Sequence, residues 1–406
     1  MEHGTDVVRR GRLDSITGAR FVAAFVVFAC HVGIYGFFAA DSAVGRWLKP
    51  ATQGAGLEAV SFFFILSGFV LTWSARPGEG YGRFLRRRIL KMYPNHIVTF
   101  CLAMLLYAAA STSALNATLN VFLLHAWRPE PGGGNGPSWS LSVDLFFYLL
   151  FPLLLPLAKR IPGNRLWWWV AGIGVLVLAL PSLAMLLPAE PKFPDSYEGT
   201  MLEGVSRYPF YALLIFPPAR MLDFLLGILV ARIVLTGRWI NFGVPKAVLL
   251  AAASYVVGLF VPFYYTLDAI NAIPMAMLIG ALTVAESRGG RSWLAHPVLR
   301  RLGEASFAFY LVHEIVLISV RATMGFETQL SLGQSLLSVS VALAVSLALA
   351  FALYHWLEMP VMRKWAGSRR SAKNSAAATP AAVSTPTAAS LPTPEGSGRP
   401  DERERI

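Results

Sequence analysis

The chain has 406 residues, of which 55% are hydrophobic and only 14% charged, with a mean hydropathy of +0.54. A soluble domain carries nearer a quarter charged residues, and so much apolar chain leaves too little polar surface for a water-soluble fold, which is excluded. A net charge of +12 would direct a soluble protein toward nucleic acid, so the placement of the basic residues has to decide what it means here.

The apolar residues come in long blocks: 22–38, 60–73, 145–157, 167–187, 248–261 and 336–354 are nearly free of charge. Roughly 17–25 such residues cross a bilayer as a helix, because lipid offers no partner to an unpaired backbone group. In chain order the expected spans are 18–39, 57–75, 93–111, 139–158, 166–187, 209–231, 244–263, 270–286, 302–322 and 334–356. The fold class is all-α, a polytopic membrane helix bundle of about ten transmembrane helices. Pro217, Pro218 and Pro274 interrupt the sixth and eighth spans; such breaks are tolerated where neighbouring helices or a cavity satisfy the freed groups. The first block is too long for the core of a cleavable signal and is expected to stay as the first helix. Cys30 and Cys101 fall inside apolar blocks and are expected to pack as small apolar residues.

With the N-terminus inside, the inner loops hold Arg9, Arg10 and Arg12, then Arg83, Arg86, Arg87, Arg88 and Lys91. They continue with Lys159, Arg160, Arg165, Arg232, Arg238, Arg288, Arg291, Arg300 and Arg301. The outer loops hold only Arg46, Lys49, Arg128, Lys192 and Arg207. Lys and Arg accumulate in cytoplasmic loops, so both termini are expected to be cytoplasmic in a multi-pass protein of the cell (plasma) membrane. The bilayer then accounts for the basic balance, and no nucleic-acid partner is expected. Residues 1–17 form the cytoplasmic N-terminal segment, 18–365 the membrane domain and 366–406 a cytoplasmic tail. The tail is rich in Ala, Ser, Thr and Pro and lacks aromatic residues, a composition expected to be disordered.

An ionisable residue inside a span is costly and rarely idle. Arg20 and His31 lie 11 positions apart in the first helix, which is about three turns and ~16 Å along one face. Alone, the pair also fits a snorkelling Arg and a packed His; a neutral imidazole, however, is the usual general base near pH 7. In the second helix Ser67 and Gly68 allow close approach of a neighbour. Arg88 and Lys91 share one face if helical, at the cytoplasmic mouth of the third helix, where they could grip phosphates; Arg86 and Arg87 read as plain anchoring. Trp139 suits an interface belt, and Asp144 needs a partner, for which His31 is at a compatible depth. Arg220 and Asp223 are one turn apart and could pair. His313 reads as structural, and Glu358 as a carboxylate near water beside an Arg.

Taken in order, these segments resemble the membrane acyltransferase-3 family, which O-acylates sugars and related hydroxylated products. The resemblance rests on Arg20 with His31, Ser61–Phe69 ending in Leu-Ser-Gly-Phe, Arg88–Pro94 with its Tyr-Pro, Trp139–Tyr148, Gly303–His313 and Tyr354–Pro360. Thr17 stands where the family usually has an acidic residue, Lys91 where it has Arg, and Asp144 where it has Glu. The stretch Ser15–Phe21 is similar to members that acylate macrolide sugars. The resemblance implies an O-acyltransferase with acyl-CoA as co-substrate, no bound cofactor and no metal, and a hydroxylated sugar or glycoside as acceptor. It implies His31 as general base oriented by Asp144, with Arg20, Arg88, Lys91, Tyr93, Trp139 and Ser67 binding donor or substrate. The competing expectation is a transporter or flippase of a sugar or lipid-linked glycan, which broken helices would suit; no internal repeat supports it.

Overall fold

The computed structural model describes residues 11–39, 42–129, 133–194, 202–290 and 292–366. Arg9, Arg10, Arg291 and the tail from residue 367 therefore lie outside the described residues. In chain order the α-helices are α1 (Asp14–Ile34), α2 (Ala43–Trp73), α3 (Tyr81–Ala103), α4 (Ala114–Val121), α5 (Trp139–Arg160) and α6 (Leu166–Ala184). They continue as α7 (Arg207–Phe210), α8 (Pro217–Leu235), α9 (Val244–Gly258), α10 (Phe263–Thr266) and α11 (Ala272–Ser287). The last are α12 (Pro297–Glu304), α13 (Ser306–Met324), α14 (Leu332–Leu353) and α15 (Met359–Val361). Among the described residues the β pairing is a single isolated bridge, Lys192 to Ser206. Among the described residues eight helical stretches are long and apolar enough to cross a bilayer, and α9 and α11 are shorter apolar helices. The protein is a polytopic membrane helix bundle.

Helix ends depart from the apolar pattern where a cap or a proline, not hydropathy, sets them. Well before residue 57, α2 begins at Ala43, because the Ser42 hydroxyl accepts the Gly45 N–H at 2.9 Å and starts a helix in polar sequence. The arginine run is the first part of α3, which starts at Tyr81 and carries Pro94 inside it. Pro217 opens α8 after a π-helical turn at Tyr211–Ile215, so the sixth span is broken as expected. Pro274 interrupts nothing: it sits in the first turn of α11, where a missing N–H leaves no intrahelical bond unmade. Cys30 is buried, but Cys101 is exposed on the outer surface, against the expectation of packing.

Two glycines fix the centre of the bundle. A Cβ on Gly68 of α2 would collide with the carbonyl oxygen of Phe224, and one on Gly227 of α8 with that of Ile65. Between membrane helices, where no hydrophobic driving force acts, such reciprocal backbone contact is a main source of cohesion. One turn or two away, Arg220 is fully buried and pairs with Asp223 at 2.6 Å and Asp268 at 3.3 Å. It also donates to Ser61 at 3.0 Å and lies over the Phe64 ring at 5.1 Å. The expected Arg220–Asp223 pair is thus one side of a buried knot that ties α2, α8 and the segment before α11 together. Outward, Leu105, Leu153, Trp168, Leu249 and Leu337 are exposed, the apolar skin that a lipid solvent matches.

Candidate active site

Helices α1, α2, α3, α5 and α13 enclose a cavity of about 160 Å³. Arg20 enters from α1, Ser67 from α2, Arg88 and Lys91 from α3, Ser140, Asp144 and Tyr148 from α5, and Tyr310 from α13. Phe63, Leu66, Met92 and Phe307 complete an otherwise apolar wall. Helical periodicity puts these groups together: Arg88 and Lys91 are three apart, and Ser140, Asp144 and Tyr148 recur every four residues down one face.

The charges are half-buried and shared. Arg88 lays its guanidinium over the Phe84 ring at 5.7 Å. Arg20 and Arg88 both act on Lys91, and Glu358 is the carboxylate that faces Lys91 and Arg20. Glu358 is 4% exposed and accepts a hydrogen bond from Asn95 at 3.0 Å, so it is not the water-facing group that its place near a helix end suggests. Asp144 interacts with the Ser67 hydroxyl and faces Arg88 and Arg20, and Tyr148 joins the same group. Among the described residues, the three cations Arg20, Arg88 and Lys91 thus face two carboxylates, Asp144 and Glu358, while Glu79, which also acts on Arg88, is offset by its own pairing with Arg87. A surplus positive charge away from water is costly, and an anionic group entering the cavity lowers that cost. By contrast, Arg86 is exposed and Arg87 turns to Glu79 at 2.8 Å.

His31 is held by a partner other than the expected one. Its Nδ1 lies 3.0 Å from the Val27 carbonyl oxygen and 3.1 Å from Nε2 of His313. His313 is fully buried, with its Nδ1 2.6 Å from the Tyr310 carbonyl oxygen. No hydrogen bond joins His31 to Asp144 among the described residues, because α13 packs against α1 whereas α5 packs against α2, α3 and α8. Tyr35 stacks on His31 with ring centroids 6.1 Å apart and donates its hydroxyl to the buried Glu314 carboxylate.

Of the residues expected to act, Arg20, Ser67, Arg88, Lys91 and Asp144 line one cavity. His31 lies beyond it, reached through the turn of α13 that runs from Tyr310 to His313. Tyr93 and Trp139 are outside the wall. The Tyr93 hydroxyl donates to the Val121 carbonyl at 2.8 Å, and Trp139 packs edge-on against Phe64 with centroids 5.9 Å apart. Sequence reasoning missed Ser140, Tyr148 and Tyr310, although the four-residue spacing around Asp144 marks the first two. It also missed the contact of His31 with His313, which no local pattern signals.

The acyltransferase-3 family profile, described as an acyltransferase domain, matches residues 13–355. The chain is 43% identical to "Acyltransferase MdmB" of Streptomyces mycarofaciens over 326 residues, 78% of this chain and 82% of that protein. It is 30% identical to "Nodulation protein 10" of Rhizobium leguminosarum bv. viciae over 169 residues, 36% of this chain and 43% of that protein. A profile over residues 13–355 and a relative matched over 82% of its length agree: this chain belongs to the acyltransferase-3 family of membrane acyltransferases.

Proposed function

We propose that the protein moves an acyl group from cytosolic acyl-CoA to a hydroxyl of a sugar or glycosylated product, with His31 as general base. The observation that carries this reading is the half-buried surplus of positive charge at Arg20, Arg88 and Lys91, in one cavity whose wall at Tyr310 lies one turn of α13 from the partner of His31. Phosphates of the donor neutralise the surplus; the acyl-pantetheine arm extends along α1 toward His31. The acceptor O–H gives its proton to His31 as its oxygen attacks the thioester carbonyl. The C–S bond breaks, and the departing thiolate takes up the proton. Asp144 serves here as counter-ion to Arg88 and Arg20, holding the donor-binding cations in place, and not as the orienter of His31.

Family membership decides between the enzyme and the transporter. The relative named as an acyltransferase supports acyl transfer, and the Ser15–Phe21 stretch, similar to members that acylate macrolide sugars, favours a glycosylated natural product, such as a macrolide sugar, as acceptor. The excess of Lys and Arg in one set of loops supports the reading that Arg88 and Lys91 stand at the cytoplasmic mouth of a multi-pass plasma-membrane protein. Membranes containing the protein, given radiolabelled acyl-CoA and a panel of glycosides, should transfer label covalently, and His31→Ala should abolish the transfer. Undiminished turnover by His31→Ala would overturn the role of His31; labelled acyl-CoA giving no product with any hydroxylated acceptor would overturn the donor.

A further inference from the structure

Two backbone carbonyls decide where the protons sit on the His31–His313 pair. A carbonyl oxygen only accepts. The Tyr310 carbonyl, 2.6 Å from His313 Nδ1, therefore requires a proton on that nitrogen. The Val27 carbonyl, 3.0 Å from His31 Nδ1, requires one there as well. The contact of 3.1 Å between His31 Nδ1 and His313 Nε2 then has one consistent assignment: His31 donates and the bare Nε2 of His313 accepts. The reverse assignment would set a nitrogen lone pair against the Val27 carbonyl. It would also require either a second lone-pair clash, at Tyr310, or an imidazolium at His313, which has no exposed surface.

We infer that His313 is a positioning residue that locks His31 as the Nδ1–H tautomer, leaving His31 Nε2 with its lone pair as the atom that takes the acceptor's proton. This rests on the reading of His31 as the base. In water the Nε2–H form of a histidine side chain is the more populated one, so the lock selects the minor form. When His31 Nε2 takes the proton in the transition state, the bond from Nδ1–H to His313 strengthens, which is the part a carboxylate plays beside the histidine of other acyl-transfer sites. His31 keeps partial exposure whereas His313 has none, so of the two rings His31 is the one open to a substrate. Among the described residues the other titratable groups near the pair are Tyr35 and Cys30 on α1 and Tyr310 and Glu314 on α13; Tyr35 donates to Glu314, and the Tyr310 ring packs on His313 with centroids 5.8 Å apart.

The test has one arm that reads the tautomer and one that reads turnover. In nanodiscs carrying the ¹⁵N-histidine-labelled full chain, the His31 signals, assigned by their loss in His31→Ala, should show a protonated Nδ1 and an unprotonated Nε2. A protonated Nε2 overturns the inference without touching the role of His31. In turnover, His313→Leu should lower kcat at least about tenfold with the donor KM within about twofold. His313→Gln, whose side-chain oxygen can accept where Nε2 did, should restore most of kcat and guards against loss of folding. In the His31→Ala background, His313→Leu should cost nothing more. His313→Leu with wild-type kcat, or His313→Gln as impaired as His313→Leu, overturns the inference; an active His31→Ala overturns the base itself.

Discussion

Arg88 offers the sharpest test of how the donor is held. Its guanidinium lines the cavity, rests on Phe84 at 5.7 Å, and faces Asp144 together with Arg20. Arg88→Ala removes one charge from a surplus but leaves Asp144 with Arg20 and Ser67, so the wall should survive. A hydrogen bond to a charged group contributes about 1.5–3 kcal/mol, and about 1.4 kcal/mol is a factor of ten. The KM for acyl-CoA should therefore rise roughly 10- to 150-fold, with kcat and acceptor KM little changed. Arg88→Lys should recover part of the loss, since it keeps the charge but not the two-pronged geometry. Arg87→Ala is the control, because Arg87 is bound to Glu79 and is absent from the cavity wall; its donor KM should stay within about threefold, since it offers no group to the cavity. The assay is initial rates in nanodiscs against acyl-CoA and against an acyl-pantetheine thioester that lacks the nucleotide phosphates. With the truncated donor, Arg88→Ala and the wild type should have the same KM. Equal penalties with both donors would refute phosphate docking at Arg88.

Gly68→Val should cost at least about 1–3 kcal/mol as an overpacked contact, read as a lower melting temperature in detergent, because its side chain meets the Phe224 carbonyl. Gly172→Ala, with nothing within 4 Å of the added atom, should not lower it. Arg220→Leu should cost about 3–5 kcal/mol by leaving Asp223 and Asp268 buried without a cation; replacing all three by leucine should recover most of the loss, and no recovery would count against the charge argument. His125, in the segment between α4 and α5, is 3% exposed, and burial first, then His96, pushes its imidazole down to about 4. The unfolded chain binds this proton near pH 6.5, so the contribution is full above that pH and is lost as pH falls toward 4, at most roughly 3 kcal/mol. His125→Gln should flatten the decline in melting temperature between pH 7 and pH 5, and an unchanged slope would refute the assignment.

The bundle was legible because each block of apolar residues has one physical reading in lipid, and the blocks are longer than the uncertainty in their ends. Helix starts were less legible, since Ser42 caps α2 and the arginine run opens α3 in sequence that no hydropathy pattern marks. The cavity was legible residue by residue where spacing along a single helix sufficed, as for Arg88 with Lys91. What sequence periodicity cannot supply is which helix stands beside which. The depth of Asp144 matches that of His31, but α13 is the neighbour that meets the outer half of α1. Glu358 was misplaced for the same reason. Nearness to a helix end suggests water, yet the π-helical turn at Tyr354–Glu358 is followed by further helix to Ala366, which keeps that carboxylate inside, against Asn95.

The partition of partners has a chemical consequence. Had Asp144 paired with His31, the cations at the mouth would have kept Glu358 alone, and the imidazole would have been oriented by a charged acceptor, as in other acyl-transfer sites. Instead Asp144 and Glu358 stay with Arg20, Arg88 and Lys91, where in the proposed reaction fixed charge would hold a polyanionic donor. His31 is given a neutral acceptor, His313, through a bond that constrains its tautomer without adding charge. Arg20 and His31 are separated by 11 residues of one helix, about 16 Å of rise, so in the proposed reaction the charge that would recognise the donor and the base that would act on the acceptor are kept apart by the same element that aligns them. In hydrocarbon, where charges interact over long distances, that separation would let a phosphate site and a general base share one bundle.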